Sequence, residues 1–483
     1  MAKMKMKLDG GRGDDKNRTK VSRASFFNAH VKLIVTKMEH FTRSKVNYTN
    51  LCFKFYIKEK NYNVQYYPYY NCRLSKMFKY VEENCLFNWS NDYKIVKLSQ
   101  LSEMPNEKVI IIGILFKHMQ LQPTILKEIS EDNQLIEQPV RDRYIEDQDF
   151  CMIQDERESV KLIGNLNIHS HVTGIIIGLL GFSEDNGNQF VVEDYCYSSL
   201  PQNISSIERP FMEEDKFIIL VSGFGFAKQS PPELTNARQI FSDFITGMLT
   251  NQDAKRSAKI VKIIIAGNLI STSKSVKNET NVLSDKNSAT KSWFGKTKVY
   301  SVDLMKMIDN FLLELGKSIE LDIMPGETDV TSSMIPQQPF HPCTLPKSSV
   351  LTSVRCITNP YLAQFDNLLV LGTSGQNIKS IGHFSQLEDP LEIMEMTLQW
   401  RHLAPTAPDT MFSYPYPDQD PFIIEKMPHI YFSGNQPVFN TKLKYFNNQQ
   451  QIVRMVTVPS FEQNYSCVMI NLKNLDCELL AFS

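Results

Sequence analysis

The chain has 483 residues, of which 42% are hydrophobic and 22% charged, so a packed core is expected and a globally disordered chain is excluded. It carries 52 Lys and Arg against 53 Asp and Glu, a net charge of −1. This balance excludes a protein whose whole surface neutralises phosphates, although a local basic groove is compatible with it. The length predicts two or three domains.

The nine cysteines stand singly between Cys52 and Cys477, and no two form a C-x-x-C pair. This pattern is typical of reduced thiols in a cytosolic or nuclear protein, and its spacing predicts no metal site and no cofactor. The longest apolar runs, 109–116 and 172–182, are well short of the ~20 residues that cross a bilayer. We therefore expect an intracellular protein without membrane contact.

The N-terminal region divides into a tail and a predicted helix. Residues 1–24 are rich in Lys, Arg, Asp and Gly. This composition predicts a disordered basic tail, with a nuclear-import or DNA-contacting arm as the alternative. The helix is predicted over 25–45 and is expected to pack on the body, because apolar residues recur at helical spacing at Phe27, Val31, Ile34, Val35 and Met38.

Residues 46–202 are predicted to form an OB-fold domain. The stretch 48–80 is aromatic with few Arg residues between the rings, which favours core or interface packing over nucleobase stacking. A turn signal stands at 184–187, and β-rich runs lie at 109–116, 160–163, 172–180 and 190–192. Short strands separated by glycine are typical of a small barrel, and OB barrels serve either single-strand binding or protein docking.

Residues 216–483 are predicted to form a second, α/β domain. Strands alternate with helices in its first half: strands at 217–221, 260–266 and 319–324, helices at 237–249 and 302–315. This alternation, with glycine loops after the strands, is typical of a layered α/β sheet. Later strands with few helices between them indicate a second sheet and a sandwich; they are predicted at 368–371, 429–432, 453–458, 467–472 and 478–482.

Ligands of open α/β sheets bind at the carboxyl ends of the strands. The loops there read Ser-Gly-Phe-Gly (222–225), Gly-Asn-Leu-Ile-Ser (267–271), Gly-Glu-Thr-Asp (326–329), Gly-Thr-Ser-Gly-Gln-Asn (372–377) and Ser-Gly-Asn-Gln (433–436). Their order and spacing resemble the calcineurin-like metallophosphoesterases, whose strand ends carry D-x-H, G-D-x-x-D, G-N-H-[DE], a single His and G-H-x-H. The resemblance implies an ancestral site in which two divalent metals activate water against a phosphoester.

Most metal ligands of that family have no counterpart here. Neutral or apolar side chains stand at the matching positions: Ser222, Phe224, Asn268, Ser271, Thr328 and Asn435. Two carboxylates, Glu327 and Asp329, do not offset two dications. We predict no catalytic residues, no metal and no cofactor. The predicted fold class is α/β plus β: an OB-fold barrel followed by a metallophosphoesterase-like two-sheet α/β sandwich lacking metal ligands.

Two other pairs of residues are weaker candidates for chemistry. His341 and Cys343 could form a nucleophile pair, but residues this close in a proline-rich loop rarely face each other well, so a structural role is favoured. His169 and His171 could be two metal ligands on one strand face. No third ligand is in view, and a metal there is disfavoured.

Longer stretches carry a more specific resemblance. The chain combines an OB-like segment with a following phosphoesterase-like region that has lost its metal ligands. This combination resembles the B subunits of the eukaryotic replicative DNA polymerases. Four stretches are similar to the delta branch of that family: 115–128, 191–196, 324–329 with 336–343, and 371–377 with 405–410. The resemblance runs from about residue 25 to residue 483.

Membership of this family implies a nuclear, non-catalytic subunit in DNA replication and repair. Such a subunit joins the C-terminal domain of the DNA polymerase delta catalytic subunit to a further accessory subunit, inside a holoenzyme that works with the sliding clamp. The resemblance also implies sharing with the translesion polymerase zeta, and little direct DNA contact. Partner contacts are predicted at Phe116, Leu121, Pro123, Leu403, Pro405, Pro408 and Asp409.

Alternatives remain open at this point. The proline-containing loop 403–410 is either a rigid docking surface or a brace for the edge of the sandwich. The chain as a whole could instead be a metal-dependent phosphoesterase or exonuclease with unusual ligands. A third interpretation is a single-strand DNA-binding protein that uses the OB barrel, which predicts salt-dependent affinity.

Overall fold

The computed structural model describes residues 41–122, 141–200, 214–271, 302–446 and 451–482. The chain divides into two units, Met1–Thr42 and Arg43–Ser483, and the second is one compact body. The predicted tail 1–24 lies outside the described residues, as does the predicted helix 25–45 except for residues 41–45, which have no regular structure. No helix among the described residues is long and apolar enough to cross a membrane.

The N-terminal part of the body consists of a short strand, a long helix and a barrel. Its elements are β1 (Tyr48–Asn50), α1 (Tyr67–Trp89), β2 (Lys94–Ile95), β3 (Val109–His118), β4 (Phe150–Gln154), β5 (Ser159–Gly164), β6 (Ile176–Glu184) and β7 (Gln189–Cys196). Helix α1 and strands β1, β2 and β4 are missing from the sequence-based prediction, while the four predicted β-rich runs overlap β3, β5, β6 and β7.

Helix α1 forms because every fourth residue of its sequence faces the core. Tyr69, Met77, Val81 and Cys85 are all buried along one face. A proline stands in the first turn of the helix. Backbone N–H groups in that turn have no acceptor within the helix, so the N–H that proline lacks costs no hydrogen bond. The buried face packs on the barrel, and the Cys85 Sγ lies 3.4 Å from the Cys196 Sγ of β7. Within the aromatic stretch 48–80, Phe55 and Tyr69 are buried, whereas Phe53, Tyr62 and Tyr67 are exposed, so the prediction of core packing holds for only part of the stretch.

The barrel is a six-stranded sheet in the order β2-β3-β4-β5-β7-β6, closed by a further pairing of β3 with β6. Strand β3 pairs antiparallel with β6, through Val109 opposite Gly181, and with β4, through Lys117 opposite Cys151, and it pairs parallel with the short β2. Closure removes free edges, and alternate residues such as Ile153 point into the interior. The small closed barrel predicted for this region is therefore present.

The C-terminal part of the body alternates helices and strands. Its elements are β8 (Phe217–Val221), α2 (Pro232–Thr246), α3 (Asn251–Ala258), β9 (Ile260–Ala266), α4 (Val302–Gly316), β10 (Glu320–Met324), β11 (Val354–Cys356), β12 (Tyr361–Phe365), β13 (Leu368–Thr373), α5 (Gln376–Phe384), α6 (Pro390–Gln399), β14 (Ile430–Gln436), β15 (Asn440–Phe446), β16 (Gln451–Pro459), α7 (Phe461–Asn464), β17 (Ser466–Asn471) and β18 (Cys477–Ala481).

These strands form two six-stranded sheets, in the orders β11-β10-β9-β8-β17-β18 and β1-β12-β13-β14-β16-β15. Strands β8 to β11 run parallel, and every residue of β9 is buried, as in sheets covered on both faces. One apolar cluster contains residues of both sheets, among them Leu220, Ile264, Val370 and Val456. The two sheets therefore share a core, and their parallel strands end in neighbouring loops.

Two expectations for this part are wrong. The helix predicted over 237–249 spans Pro232–Thr246, because Gly247 takes a left-handed φ of 76° and ends it. Few helices were expected after residue 368, yet α5 and α6 lie between β13 and β14. Buried Ile378 and Ile381, three residues apart, give α5 its core-facing side.

A buried polar cluster joins α1 to the C-terminal part of the body; we call Arg73, His402 and Asp420 the junction network. Arg73 is fully buried, and its Nε donates to Asp420 Oδ2 at 2.7 Å while its Nη2 donates to the Ala407 carbonyl at 2.7 Å. His402 Nε2 donates to Asp420 Oδ2 at 2.8 Å. Burial alone would raise the pKa of Asp420, but the charges of His402 and Arg73 outweigh it and lower the pKa below its usual range.

Candidate functional site

The loops at the carboxyl ends of β8, β9, β10, β13 and β14 meet and hydrogen-bond to one another. The Gly223 N–H donates to the Gly267 carbonyl at 2.9 Å, and the Thr328 N–H donates to Asn268 Oδ1 at 3.2 Å. Asn435, near the end of β14, joins this strand to the end of β9 and to the loop after β13. We call these contacts the strand-end network, formed by Ser222, Asn268, Thr328, Asp329, Ser374 and Asn435.

Asn435 ties three loops together through its side chain. Its Nδ2 donates to the Ala266 carbonyl at 3.0 Å and to the Ser374 carbonyl at 2.9 Å. Its backbone N–H donates to Ser222 Oγ at 2.8 Å. The Ser222 hydroxyl in turn donates to the Pro459 carbonyl at 3.1 Å. Asn435 adopts a left-handed φ of 54°, which Asn tolerates better than most residues. Asn435, which the sequence predicts to be a degenerate metal-ligand position, thus holds backbone together.

Asp329 is buried, but its carboxylate is directed at backbone. Its Oδ2 accepts from the Gly326 N–H at 2.8 Å and the Asn268 N–H at 2.9 Å, and its Oδ1 accepts from the Ile270 N–H at 3.3 Å. Burial raises the pKa of Asp329 to about 6. The backbone N–H groups favour the charged carboxylate and offset part of this rise. The carboxylate fixes the loops after β9 and β10, and its two oxygens are already engaged.

The remaining predicted positions have separate environments. Glu327 is 56% exposed and its Oε2 lies 3.4 Å from Lys379 Nζ. Ser271 donates its hydroxyl hydrogen to Glu462 Oε1. Phe224 is fully buried in an aromatic cluster that includes Phe241, whose ring centroid is 5.5 Å away. Glu327 therefore does not converge with Asp329 on a common point.

The strand-end network is held by hydrogen bonds and contains no ion pair among its members. Amides, hydroxyls and backbone groups make its contacts, and Asp329 is its one carboxylate. Among the described residues, no group of three or more His, Cys, Asp or Glu side chains could hold a metal ion. Two dications need several anionic or imidazole ligands aimed at them, and the described residues do not provide this arrangement.

The two weaker candidate pairs have different outcomes. His171 is fully buried, with Nδ1 2.6 Å from the Asn167 carbonyl and Nε2 2.8 Å from the Tyr197 hydroxyl, so both ring nitrogens are engaged within the chain. His341 and Cys343 do face each other: Nδ1 and Sγ are 2.8 Å apart on an exposed loop. The expectation that residues this close would not meet is wrong.

The predicted partner-contact residues are distributed unevenly. Phe116 and Leu121 are half-buried at the end of β3, and Pro123 lies outside the described residues. Leu403 is only 2% exposed, and Pro405 is buried with its carbonyl accepting from Arg73 Nη1 at 3.0 Å. In the loop 403–410 only Pro408, Asp409 and Thr410 reach solvent. The docking function of this loop stays a prediction, and any direct contact would fall on these three residues.

Reasoning from sequence misses the junction network. Arg73 and Asp420 are 347 residues apart, and no motif connects them. One signal was available: Arg73 occupies the core-facing position between Tyr69 and Met77 in a helical pattern of spacing four. An arginine at such a position requires a buried acceptor, since an unpaired buried charge is strongly unfavourable.

Comparison with known proteins identifies the class. Residues 65–195 match the family model described as the DNA polymerase delta subunit OB-fold domain, and residues 218–441 match the family model of the B subunit of DNA polymerase alpha/epsilon. These matches confirm an OB-fold domain in the N-terminal half and a polymerase B-subunit module after it. They lie within the predicted domains 46–202 and 216–483, whose outer boundaries stay predictions.

Relatives extend the match over nearly the whole chain. The chain is 34% identical to DNA polymerase delta subunit 2 of Drosophila melanogaster, covering 91% of this chain and 98% of that protein. It is 35% identical to the DNA polymerase delta small subunit of Arabidopsis thaliana, covering 91% and 96%, and 28% identical to that of Saccharomyces cerevisiae, covering 90% and 92%. The chain belongs to the family of DNA polymerase delta small subunits.

Proposed function

We propose that this chain is a non-catalytic accessory subunit of DNA polymerase delta, acting in the nucleus in DNA replication and repair. The observation that carries the proposal is the family match over 91% of the chain. The strand-end network supports the non-catalytic part. Its side chains hydrogen-bond to backbone groups of these loops: Ser222 and Thr328 donate to carbonyls, Asn268 and Asp329 accept from N–H groups, and Asn435 Nδ2 donates to two carbonyls.

The C-terminal part, in this proposal, is an inactivated phosphoesterase-like sandwich. Support comes from the place of the network at the carboxyl ends of parallel strands, where open α/β sheets bind their ligands. In this proposal Ser222, Asn268 and Asn435 stand where the resembling enzymes carry metal ligands, and each side chain hydrogen-bonds to backbone instead. In this proposal the loops are fixed by hydrogen bonds to one another, whereas in the resembling enzymes metal ions hold the corresponding loops.

As a scaffold, the chain would join the C-terminal domain of the polymerase delta catalytic subunit to a further accessory subunit. Its contact with the sliding clamp would be indirect, and polymerase zeta would be a second user of the same surfaces. The fold favours this task, because the barrel and both sheets form one compact body. A rigid body presents two faces with little ordering entropy to lose on binding.

Co-purification tests the scaffold directly. The full chain would be co-expressed with the catalytic subunit, captured through a tag on this chain at moderate salt, and the bound polymerase quantified. We expect stoichiometric recovery of the catalytic subunit. Failure to recover it, together with divalent-dependent hydrolysis of bis(p-nitrophenyl) phosphate by the isolated chain, would overturn the proposal in favour of a phosphoesterase.

Asp409 offers a sharper test of the docking loop, with a matched control. Its Oδ1 accepts from the Tyr70 hydroxyl at 2.9 Å, and Asp409 is exposed. Asp409→Ala removes both this bond and the surface carboxylate, whereas Tyr70→Phe removes the bond alone. Weaker capture of a partner by Asp409→Ala but not by Tyr70→Phe supports docking. Equal capture by both variants and the wild type rejects docking through this side chain.

A further inference from the structure

The nine cysteines of the chain all lie among the described residues, and they differ sharply in access. Five are buried, at positions 52, 85, 151, 196 and 467; three are half-buried, at positions 72, 356 and 477. Cys343 is exposed. A dissolved reagent therefore meets Cys343 before the other thiols.

Cys343 also has an imidazole beside its sulfur. The His341 Nδ1 lies 2.8 Å from Cys343 Sγ and accepts the Cys343 backbone N–H at 3.2 Å. A nitrogen that accepts from a backbone N–H carries a lone pair, which assigns the ring proton of the neutral form to Nε2. The Cys343 sulfur therefore lies next to an unprotonated ring nitrogen that can act as a base.

The turn that holds this pair is fixed from both sides. Phe340 and Leu345 flank it and are 3% and 0% exposed within an apolar cluster. The Thr344 N–H and hydroxyl both donate to the His341 carbonyl, at 2.9 and 2.7 Å. The sulfur and the imidazole are therefore preorganised, which lowers the entropic cost of proton transfer between them.

We propose that Cys343 is a site of thiol–disulfide exchange with low-molecular-weight disulfides of the glutathione type, with His341 as its proton acceptor. This inference goes beyond the scaffold function and does not depend on it. As the Cys343 sulfur attacks one sulfur of the disulfide, its proton passes to His341 Nδ1. The S–S bond of the reagent breaks, a mixed disulfide forms at Cys343, and the departing thiolate takes the proton from the imidazolium. No electrons are gained or lost overall.

The other thiols are poor competitors for the same reaction. Burial raises the pKa of Cys52 and of Cys356 to about 11, and it raises the pKa of the half-buried Cys72. Since the thiolate is the nucleophile, a raised pKa slows exchange at neutral pH. Cys72 and Cys356 are therefore internal references for Cys343 within one molecule.

The experiment treats the purified full chain with oxidised glutathione at neutral pH and follows each cysteine by peptide mass spectrometry. We expect the mixed disulfide to form first at Cys343, at least tenfold faster than at Cys72 or Cys356. Modification of Cys72 or Cys356 at the same rate as Cys343, or faster, would overturn the proposal. This comparison within the wild type needs no variant and so does not depend on a variant's folding.

A variant isolates the role of the imidazole. His341→Asn keeps a side-chain acceptor for the Cys343 N–H but cannot take up a proton at neutral pH. We expect it to slow exchange at Cys343 about tenfold, since an unassisted thiol is only a few per cent thiolate at neutral pH. Unchanged melting temperature would verify the fold. An unchanged rate at Cys343 would remove His341 from the mechanism and refute the proposed pair.

Discussion

The strand-end network and the junction network are both buried and polar, yet they differ in charge. At the strand ends, Asp329 is surrounded by backbone N–H groups, and burial raises its pKa to about 6. At the junction, His402 and Arg73 overcome the effect of burial and lower the pKa of Asp420. The carboxylate of Asp420 is thus paired with cationic side chains where α1 meets the C-terminal part, whereas backbone N–H groups hold the carboxyl group of Asp329 at the candidate site.

This difference indicates two separate tasks. Buried ion pairs contribute little net stability compared with apolar packing, but breaking one is costly, so they specify a single arrangement of the parts they join. Neutral contacts between loops fix local backbone at a lower electrostatic cost. We therefore expect variants at the two networks to differ in the size of their effect and in their dependence on pH.

The largest effect is expected from Arg73→Met, which leaves Asp420 buried without its guanidinium partner. We expect a loss of about 3–5 kcal/mol in the free energy of unfolding, measured by guanidinium denaturation. Lys108→Met is the matched control, because Lys108 pairs with Glu193 on the surface, with side chains 50% and 36% exposed. That change should cost far less than Arg73→Met, because a solvent-exposed ion pair is strongly screened. Equal losses would show that the junction network is not needed to hold the two parts together.

The second prediction concerns pH and has opposite signs at the two carboxyl groups. The pKa of Asp329 is raised on folding, so its contribution to stability is present at low pH and is lost as pH rises from about 4 through about 6. That loss is at most about 3 kcal/mol. The pKa of Asp420 is lowered, so its contribution is present above about pH 4 and is lost as pH falls below it.

Urea unfolding of the wild type, Asp329→Asn and Asp420→Asn between pH 3 and 7 checks these signs. The difference in unfolding free energy between wild type and Asp329→Asn should fall as pH rises from 4 to 6. The corresponding difference for Asp420→Asn should instead decrease as pH drops below 4. Parallel curves for the two variants would contradict the contrast between the networks.

A smaller effect is expected from Ser222→Ala. This change removes the acceptor of the Asn435 N–H at 2.8 Å and leaves that donor without its protein partner. We expect a loss of about 1–3 kcal/mol in the free energy of unfolding. Ser75→Ala is the control, since Ser75 is exposed and its hydroxyl donates to the Cys72 carbonyl on the helix surface. The control should stay within about 0.5 kcal/mol of the wild type.

The smallest effect is expected from Lys379→Met. Lys379 and Glu327 have side chains that are 60% and 56% exposed, with a separation of 3.4 Å. Such a pair contributes less than about 1 kcal/mol, and added salt should abolish most of the difference from the wild type. A loss as large as that of Ser222→Ala would place Glu327 inside the strand-end network and weaken the distinction between buried contacts and surface pairs.

Local sequence predicts the buried parallel strands of this fold well. Strands β8 and β9 have the predicted bounds because their residues are almost uninterrupted β-formers bounded by glycine loops. The meeting of Ser222, Asn268 and Asn435 also follows from sequence order, since parallel strands end at one edge of a sheet. Helix α1 is harder, because aromatic and Asn-rich residues have only modest helix propensity, and tertiary packing decides.

Long-range polar contacts could not be predicted. The partners of Arg73 come from the loop around Ala407 and from Asp420, which only the folded chain brings near α1. The contact between His341 and Cys343 depends on one turn geometry that two letters of sequence do not determine. In both cases the side-chain direction, which pattern and spacing leave open, decides the chemistry.

Strand β1 has a consequence for the synthesis of the chain. It pairs with β12 near the middle of the C-terminal part, and the Asn47 N–H reaches Asp366 Oδ1 across a separation of 319 residues. At ribosomal rates of 5–20 residues per second, roughly 15 to 60 s pass between the synthesis of β1 and that of its partner. During that interval the first strand and Tyr48 have no sheet to join. The sheet therefore gains β1 only after β12, the one strand that β1 borders, has been synthesised.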